Sequence, residues 1–86
     1  MRRAVATYTT RAAEKLRRHH VAAGVLTVFL MTNRFTDEPQ YANSVIMALP
    51  VATQDTAELI GHALQGVEQI FHDGYRFTKA GVILTA

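Results

Sequence analysis

The sequence predicts an α+β domain in which two helices cover one face of a small antiparallel or mixed sheet, in the order α-β-β-α-β. Three observations predict it. Apolar residues recur at helical spacing in two stretches, 3–20 and 56–72. Three runs rich in Val, Ile, Thr and Phe lie between and after them. Gly24, Pro50 and Gly74 fall at the junctions. With 86 residues, 49% of them hydrophobic and 19% charged, the chain reads as one globular domain over 1–86 with one modest core.

Each element has its own reason. Over 3–20, Val5, Tyr8, Ala12, Leu16 and His19 recur every three or four residues and share a face, with Tyr8 turned to the core and its hydroxyl at the edge. Arg11, Lys15 and Arg18 share another face, and Arg17, Arg18, His19 and His20 crowd the last turn, where the helix dipole favours cations. Gly24 stops the pattern. Residues 25–32, VLTVFLMT, form a strand that is apolar on both faces. The polar stretch 33–42, with Asp37, Glu38, Pro39 and Gln40, is a hairpin loop. Residues 43–49, NSVIMAL, form a second strand that Pro50 ends, and the short connection makes the two strands antiparallel.

The second helix, 56–72, is the clearest. Asp55 is its N-cap, and Glu58 three residues on completes a capping-box spacing. Leu59, Ile60, Ala63, Leu64, Val67, Ile70 and Phe71 form its apolar stripe, and Gly74 suits a left-handed C-terminal cap. Gly66, inside it, marks a place where another element can come close. Residues 77–85, FTKAGVILT, form the last strand, in which Gly81 signals a bulge or a close backbone approach.

Several function classes are excluded by composition. There is no cysteine, so there is no disulfide and no thiolate metal site. No apolar run approaches the roughly 20 residues that a membrane span needs, and no secretory signal follows Arg2 and Arg3. No nucleophile–base constellation or phosphate-binding glycine loop is present, which leaves an enzyme without a site. Asp37 and Glu38 read as solvated turn residues, and His19, His20, His62 and His72 as titratable groups on helix surfaces. The net charge of +2 hides an asymmetry. Residues 1–20 carry Arg2, Arg3, Arg11, Lys15, Arg17 and Arg18 against Glu14 alone, whereas acidic residues prevail in 21–86. Such a split points weakly to an acidic partner and is equally the mark of a solvated helix face.

The strings TRAAEKLRRHH at 10–20, TNRF at 32–35, DEPQYANS at 37–44, ATQDT at 52–56 and FTKAGVIL at 77–84, in this order, resemble the little-finger domain of UmuC-type translesion DNA polymerases, the Y-family enzymes of the ImpB/MucB/SamB group that include the catalytic subunit of DNA polymerase V. The resemblance covers essentially the whole chain. It implies a β-α-β-β-α-β fold with strand order 1-4-2-3 and both helices on one face. The chain then looks like that fold without its first strand. The palm, whose carboxylates bind Mg²⁺, is outside it, so no cofactor and no polymerase chemistry are expected in this fragment. The resemblance further implies a cytoplasmic role in SOS lesion bypass, with primer–template DNA, UmuD-type proteins and a recombinase as partners of the parent. With the first strand missing, 77–85 becomes an exposed edge, and a homodimer pairing that edge across a two-fold axis is expected.

In this family the sheet face opposite the helices sits in the DNA major groove. Strand alternation assigns the faces. Leu26, Val28, Leu30, Val45, Met47, Leu49, Ala80, Val82 and Leu84 point to the helices. Thr27, Phe29, Met31, Ser44, Ile46, Ala48, Lys79, Gly81 and Ile83 point away. The outward set is largely apolar, where related polymerases often carry basic residues. The candidate DNA contacts are Thr32, Asn33, Arg34, Ser44, Arg76, Thr78 and Lys79, each a phosphate donor by type. Arg11, Lys15 and Arg18 belong to the helical layer, away from the groove, and suit a protein partner or plain solvation. The rival reading is a protein-interaction or dimerisation module of the same fold with no direct DNA role.

Overall fold

The computed structural model describes residues 2–33, 35, 37, 40–75 and 77–86. Five elements follow one another: α1 (Arg2–Arg18), β1 (Ala23–Thr32), β2 (Ala42–Thr53), α2 (Thr56–Ile70) and β3 (Phe77–Thr85). The strands form one antiparallel sheet in the order β2-β1-β3. The order is the one that the expected four-stranded sheet leaves when its first strand is removed. β1 is therefore central, and β2 and β3 are both edges.

The core lies between the sheet and the helices. Leu26, Val28 and Leu30 of β1 are fully buried, with Leu59, Ala63, Val67 and Ile70 of α2 packed in the same cluster. Burying one such Leu or Val side chain contributes about 1.5–3 kcal/mol. α2 packs on β1 and β2, and α1 packs on α2 and β3, so each edge strand has its own helix. Gly66 lets α2 sit close to the sheet: a Cβ there would come within 3.1 Å of Met47, 3.2 Å of Val45 and 3.3 Å of Val28. The inward and outward strand residues alternate as expected, with the register Val28↔Val45 and Val28↔Val82.

The buried stripe of α1 differs from expectation. Val5, Thr9 and Ala13 are its fully buried residues, whereas Tyr8 is 41% exposed. α1 must pack on α2 and β3 at once, and small side chains serve that contact better than a phenol. Thr9 enters the core without an unpaired hydroxyl because its Oγ1 donates to the Val5 carbonyl at 2.7 Å.

The helix ends also differ in detail. α1 stops at Arg18, earlier than expected, and His20 rather than Gly24 carries the stop, with φ 56°. The Val21 amide donates to the Leu16 carbonyl at 3.0 Å and the His20 amide to Arg17 at 3.2 Å, which is a Schellman closure. Arg17 then turns back, and its Nη1 donates to the Gln54 carbonyl and the Thr56 hydroxyl, tying the end of α1 to the start of α2. At that start Asp55 is the N-cap, its Oδ2 accepting from the Glu58 amide at 3.0 Å. The Asp55 amide donates to Thr53 Oγ1. α2 ends at Ile70, and Phe71 is its C-cap in extended conformation. His72 therefore lies past the helix, and Gly74, with φ 93°, makes the turn into β3 instead of capping α2.

Pro50 does not end the second strand, which runs on to Thr53. β2 is an edge, so a missing N–H costs it no ladder bond there, and the register shift between Ala23 and Val25 absorbs the proline. Gly81 sits in a regular stretch of ladder opposite Phe29. It allows a close approach of a side chain: a Cβ would lie 2.1 Å from Phe29 Cζ, so the Phe29 ring lies across the bare glycine.

Two stability outcomes follow. His20→Gly removes the strain of a left-handed non-glycine residue and raises stability by about 0.5–1 kcal/mol, seen as a rise of a few degrees in the thermal midpoint. A lower midpoint would mean that the imidazole contributes more than its backbone costs. Gly81→Ala destabilises by about 0.5–1 kcal/mol in urea unfolding, and the same change made beside Phe29→Ala is neutral or stabilising. Equal costs in both backgrounds would show that the ring does not depend on the glycine.

Candidate functional site

The outward sheet face is apolar over most of its area. Ile46 is 72% exposed and Ile83 51% exposed, and they lie on either side of Thr27 in the ladder. Phe29 occupies the next outward position of β1, between Ser44 and Gly81. Lys79, the partner of Met31, brings a charge where the face meets the β1–β2 connection, and Thr27 and Ser44 add hydroxyls further along it.

A bulge creates that polar end. Met31 pairs with Lys79 and Thr32 with Phe77, so Thr78 is an extra residue on β3. A bulge breaks strict alternation and re-aims a side chain. Thr78 and Lys79, neighbours that a regular strand would send to opposite faces, both border one cleft of about 180 Å³. Thr32 and Asn33 of the facing strand end, with Met31 and Phe35, complete its lining. The cleft thus brings together Thr32, Asn33, Thr78 and Lys79 from the expected DNA-contacting set. Ser44 stands apart on β2, exposed and opposite Phe29, with its amide donating to Asn43 Oδ1 at 2.8 Å. Arg34 and Arg76, also expected in the set, lie outside the described residues.

The strand stem beside the cleft is braced by side chains. The Thr32 hydroxyl accepts from the Tyr41 amide at 3.0 Å and donates to Gln40 Oε1 at 3.1 Å. Gln40 Nε2 donates to the Asn33 carbonyl at 2.9 Å, and Asn33 Oδ1 accepts from the Phe35 amide at 2.9 Å. Thr32, whose one hydroxyl proton goes to Gln40, and Asn33 are therefore loop-shaping residues. Lys79 and Thr78 are exposed donors on the opposite wall. Hydroxyl, amide and ammonium donors around an open cleft suit an anionic oxygen.

An aromatic cluster, absent from the sequence reading, holds this end of the fold in place. Tyr41 stacks on Tyr75 with centroids 4.8 Å apart, and Phe77 meets Tyr41 edge-on at 5.7 Å. Phe71 and His72 pack against Phe77 and Tyr75. The Tyr41 hydroxyl donates to the Ile70 carbonyl at 3.0 Å, satisfying the last turn of α2, and accepts from Asn43 Nδ2. These rings come from the ends of β2, α2 and β3, and they fix the residue that precedes Thr78. The only sequence signal was aromatic residues flanking predicted element ends.

A second, larger groove of about 550 Å³ runs between α1 and β3. Ala12, Lys15, Leu16 and His19 line one side, and Val82 and Leu84 the other. Among the described residues, no strand pairs with the outer edge of β3. The exposed cations of α1, Arg3, Arg11, Lys15 and Arg18, belong to the helical layer and not to the outward sheet face. Among the described residues no three His, Asp or Glu side chains converge on a metal position, and no helix is long and apolar enough to cross a membrane.

Comparison with known proteins gives a consistent result. The sequence model described as the impB/mucB/samB family C-terminal domain matches residues 1–86. Over 85 residues the chain is 42% identical to Protein UmuC of Salmonella typhimurium (strain LT2), covering 98% of this chain and 20% of that protein. It is 40% identical to Protein ImpB of Salmonella typhimurium and 39% identical to Protein MucB of Escherichia coli, again over 98% of this chain and 20% of theirs.

Proposed function

The chain belongs to the impB/mucB/samB family, as its C-terminal domain, and from that premise we propose that it is the DNA-gripping little finger of an error-prone translesion polymerase. It spans 20% of the length of the relatives it matches, so polymerase chemistry and its Mg²⁺ belong to the remainder of such a protein. The role of this domain is to hold primer–template DNA without reading sequence while the distant active site extends past damage during the SOS response. That work is cytoplasmic.

One observation supports this reading above the others. The bulge at Thr78 gathers Thr32, Asn33, Thr78 and Lys79 around one cleft at the end of the outward sheet face. Donors of this kind contact phosphate oxygens, which position a duplex and carry no sequence information. The largely apolar centre of the face suits the same task, because beyond the hydroxyls of Thr27 and Ser44 it offers no side-chain donors or acceptors to discriminate base edges. Arg34 and Arg76 adjoin this end in sequence and are assigned to the same contact. Ser44 makes a separate contact further along β2. The cationic side of α1 is left to the protein partners of the parent, for which UmuD-type and recombinase proteins are the candidates.

The free edge of β3 favours a second association. A two-fold axis along that edge pairs Phe77–Thr85 with its copy, extends the sheet, and covers the groove between α1 and β3. Sedimentation equilibrium then finds a dimer at high concentration. A monomer throughout would remove the homodimer and leave the DNA role untouched.

DNA binding is tested by fluorescence anisotropy of a labelled primer–template at several salt concentrations. Binding weakens steeply with salt and is indifferent to sequence. Lys79→Ala weakens it uniformly across sequences and lowers the salt slope by about one. An unchanged affinity and slope in Lys79→Ala would favour the rival, a protein-interaction module of the same fold.

A further inference from the structure

Phe35 is 91% exposed, the most exposed large apolar side chain among those described. The other rings at this end of the fold pack against one another, from Tyr41 through Tyr75 to Phe77. Phe35 is held outward by its backbone, because its amide is tied to Asn33 Oδ1 at 2.9 Å in an Asx turn. Asn33 is in turn fixed through its carbonyl by Gln40, and Gln40 by Thr32. A benzyl side chain is thereby kept in water at the mouth of the cleft, with the Lys79 ammonium and the Thr78 hydroxyl on the facing wall.

The two walls have different chemistries. One offers a cation and a hydroxyl, the other an apolar ring. A nucleotide has the matching pair of features, a phosphate and, several ångströms away, a sugar and base with apolar faces. We propose that Phe35 is a stacking residue that packs on the deoxyribose or on an unpaired base of the nucleotide whose phosphate meets Lys79. The proposal rests on the DNA-binding reading and deepens it. Stacking does not depend on counterion release, so Phe35 supplies affinity that persists at high salt, whereas Lys79 supplies affinity that salt removes. Every base has a π-face, so the contact is indifferent to sequence, as a sliding domain requires. It also gives the domain a preference for a junction with an unpaired nucleotide over a continuous duplex.

The test compares wild type, Phe35→Ala, Phe35→Trp and Lys79→Ala by anisotropy over a salt series. The probes are a primer–template with a single-stranded overhang and a blunt duplex of the same length. Phe35→Ala weakens binding to the overhang probe about tenfold at every salt concentration with the slope unchanged. Its effect on the blunt duplex is smaller, and Phe35→Trp restores wild-type affinity. An exposed side chain carries little of the fold, and circular dichroism checks that both variants remain folded. The inference is overturned, with the DNA reading intact, if Phe35→Ala binds both probes like wild type while Lys79→Ala loses affinity and slope. A changed slope in Phe35→Ala also overturns it, because the ring would then act by placing cations. A loss of self-association in Phe35→Ala, with DNA affinity unchanged, assigns the ring to a protein contact. If wild type binds neither probe at low salt, the DNA reading itself fails, and the stacking role fails with it.

Discussion

Everything in this fold depends on one strand being buried on one face and paired on both sides. β1 supplies Leu26, Val28 and Leu30 to the core at zero exposure and hydrogen-bonds to β2 and β3 together. Its inward side chains must be covered, and α2, with Gly66 against Val28, provides the cover. Register follows from the same constraint. A slip of one residue would carry all three inward side chains to the open face. The faces of β2 and β3 are then fixed through their pairing with β1.

The edges follow from the centre. Because β1 takes both partners, β2 and β3 each present a free side, and each edge carries an irregularity that a central strand would not tolerate. Pro50 sits in β2 without removing a ladder bond. Thr78 is extruded from β3 as a bulge. The bulge places two consecutive polar residues on one cleft, and the rings of Tyr41, Tyr75 and Phe77 anchor the strand just before it. Rigid packing on one side of the bulge and an open cleft on the other give a polar site that is held by the core without being part of it.

The charge distribution has a corresponding division of labour. The cations of α1 are numerous but lie in the helical layer, and Arg17 is spent on a structural tie to Gln54 and Thr56. The outward sheet face has few charges, and Thr78 and Lys79 lie at one end of it. The two layers therefore differ in kind, with cations along the exposed side of α1 and a largely apolar sheet face opposite.

The sequence by itself determined the element order, the N-cap at Asp55 and the inward and outward faces of all three strands, and it singled out Thr32, Asn33, Thr78 and Lys79, which border one cleft. Those features rest on local periodicity, on capping chemistry and on strings similar to a known family, all of which are written along the chain. Tertiary structure alone decided that Thr9 and not Tyr8 enters the core, that β2 passes through Pro50, and that α1 stops at Arg18 with His20 in the left-handed position. It also decided that the irregularity in β3 falls at Thr78 and that Gly81 accommodates a ring from the neighbouring strand. Each of these depends on what lies across from a residue: how close a second helix comes, whether a strand is an edge, and which side chain must pass over a backbone. The aromatic cluster of Tyr41, Phe71, His72, Tyr75 and Phe77 is the clearest case, since its members come from three element ends and meet only once β1 has set the register of both neighbours.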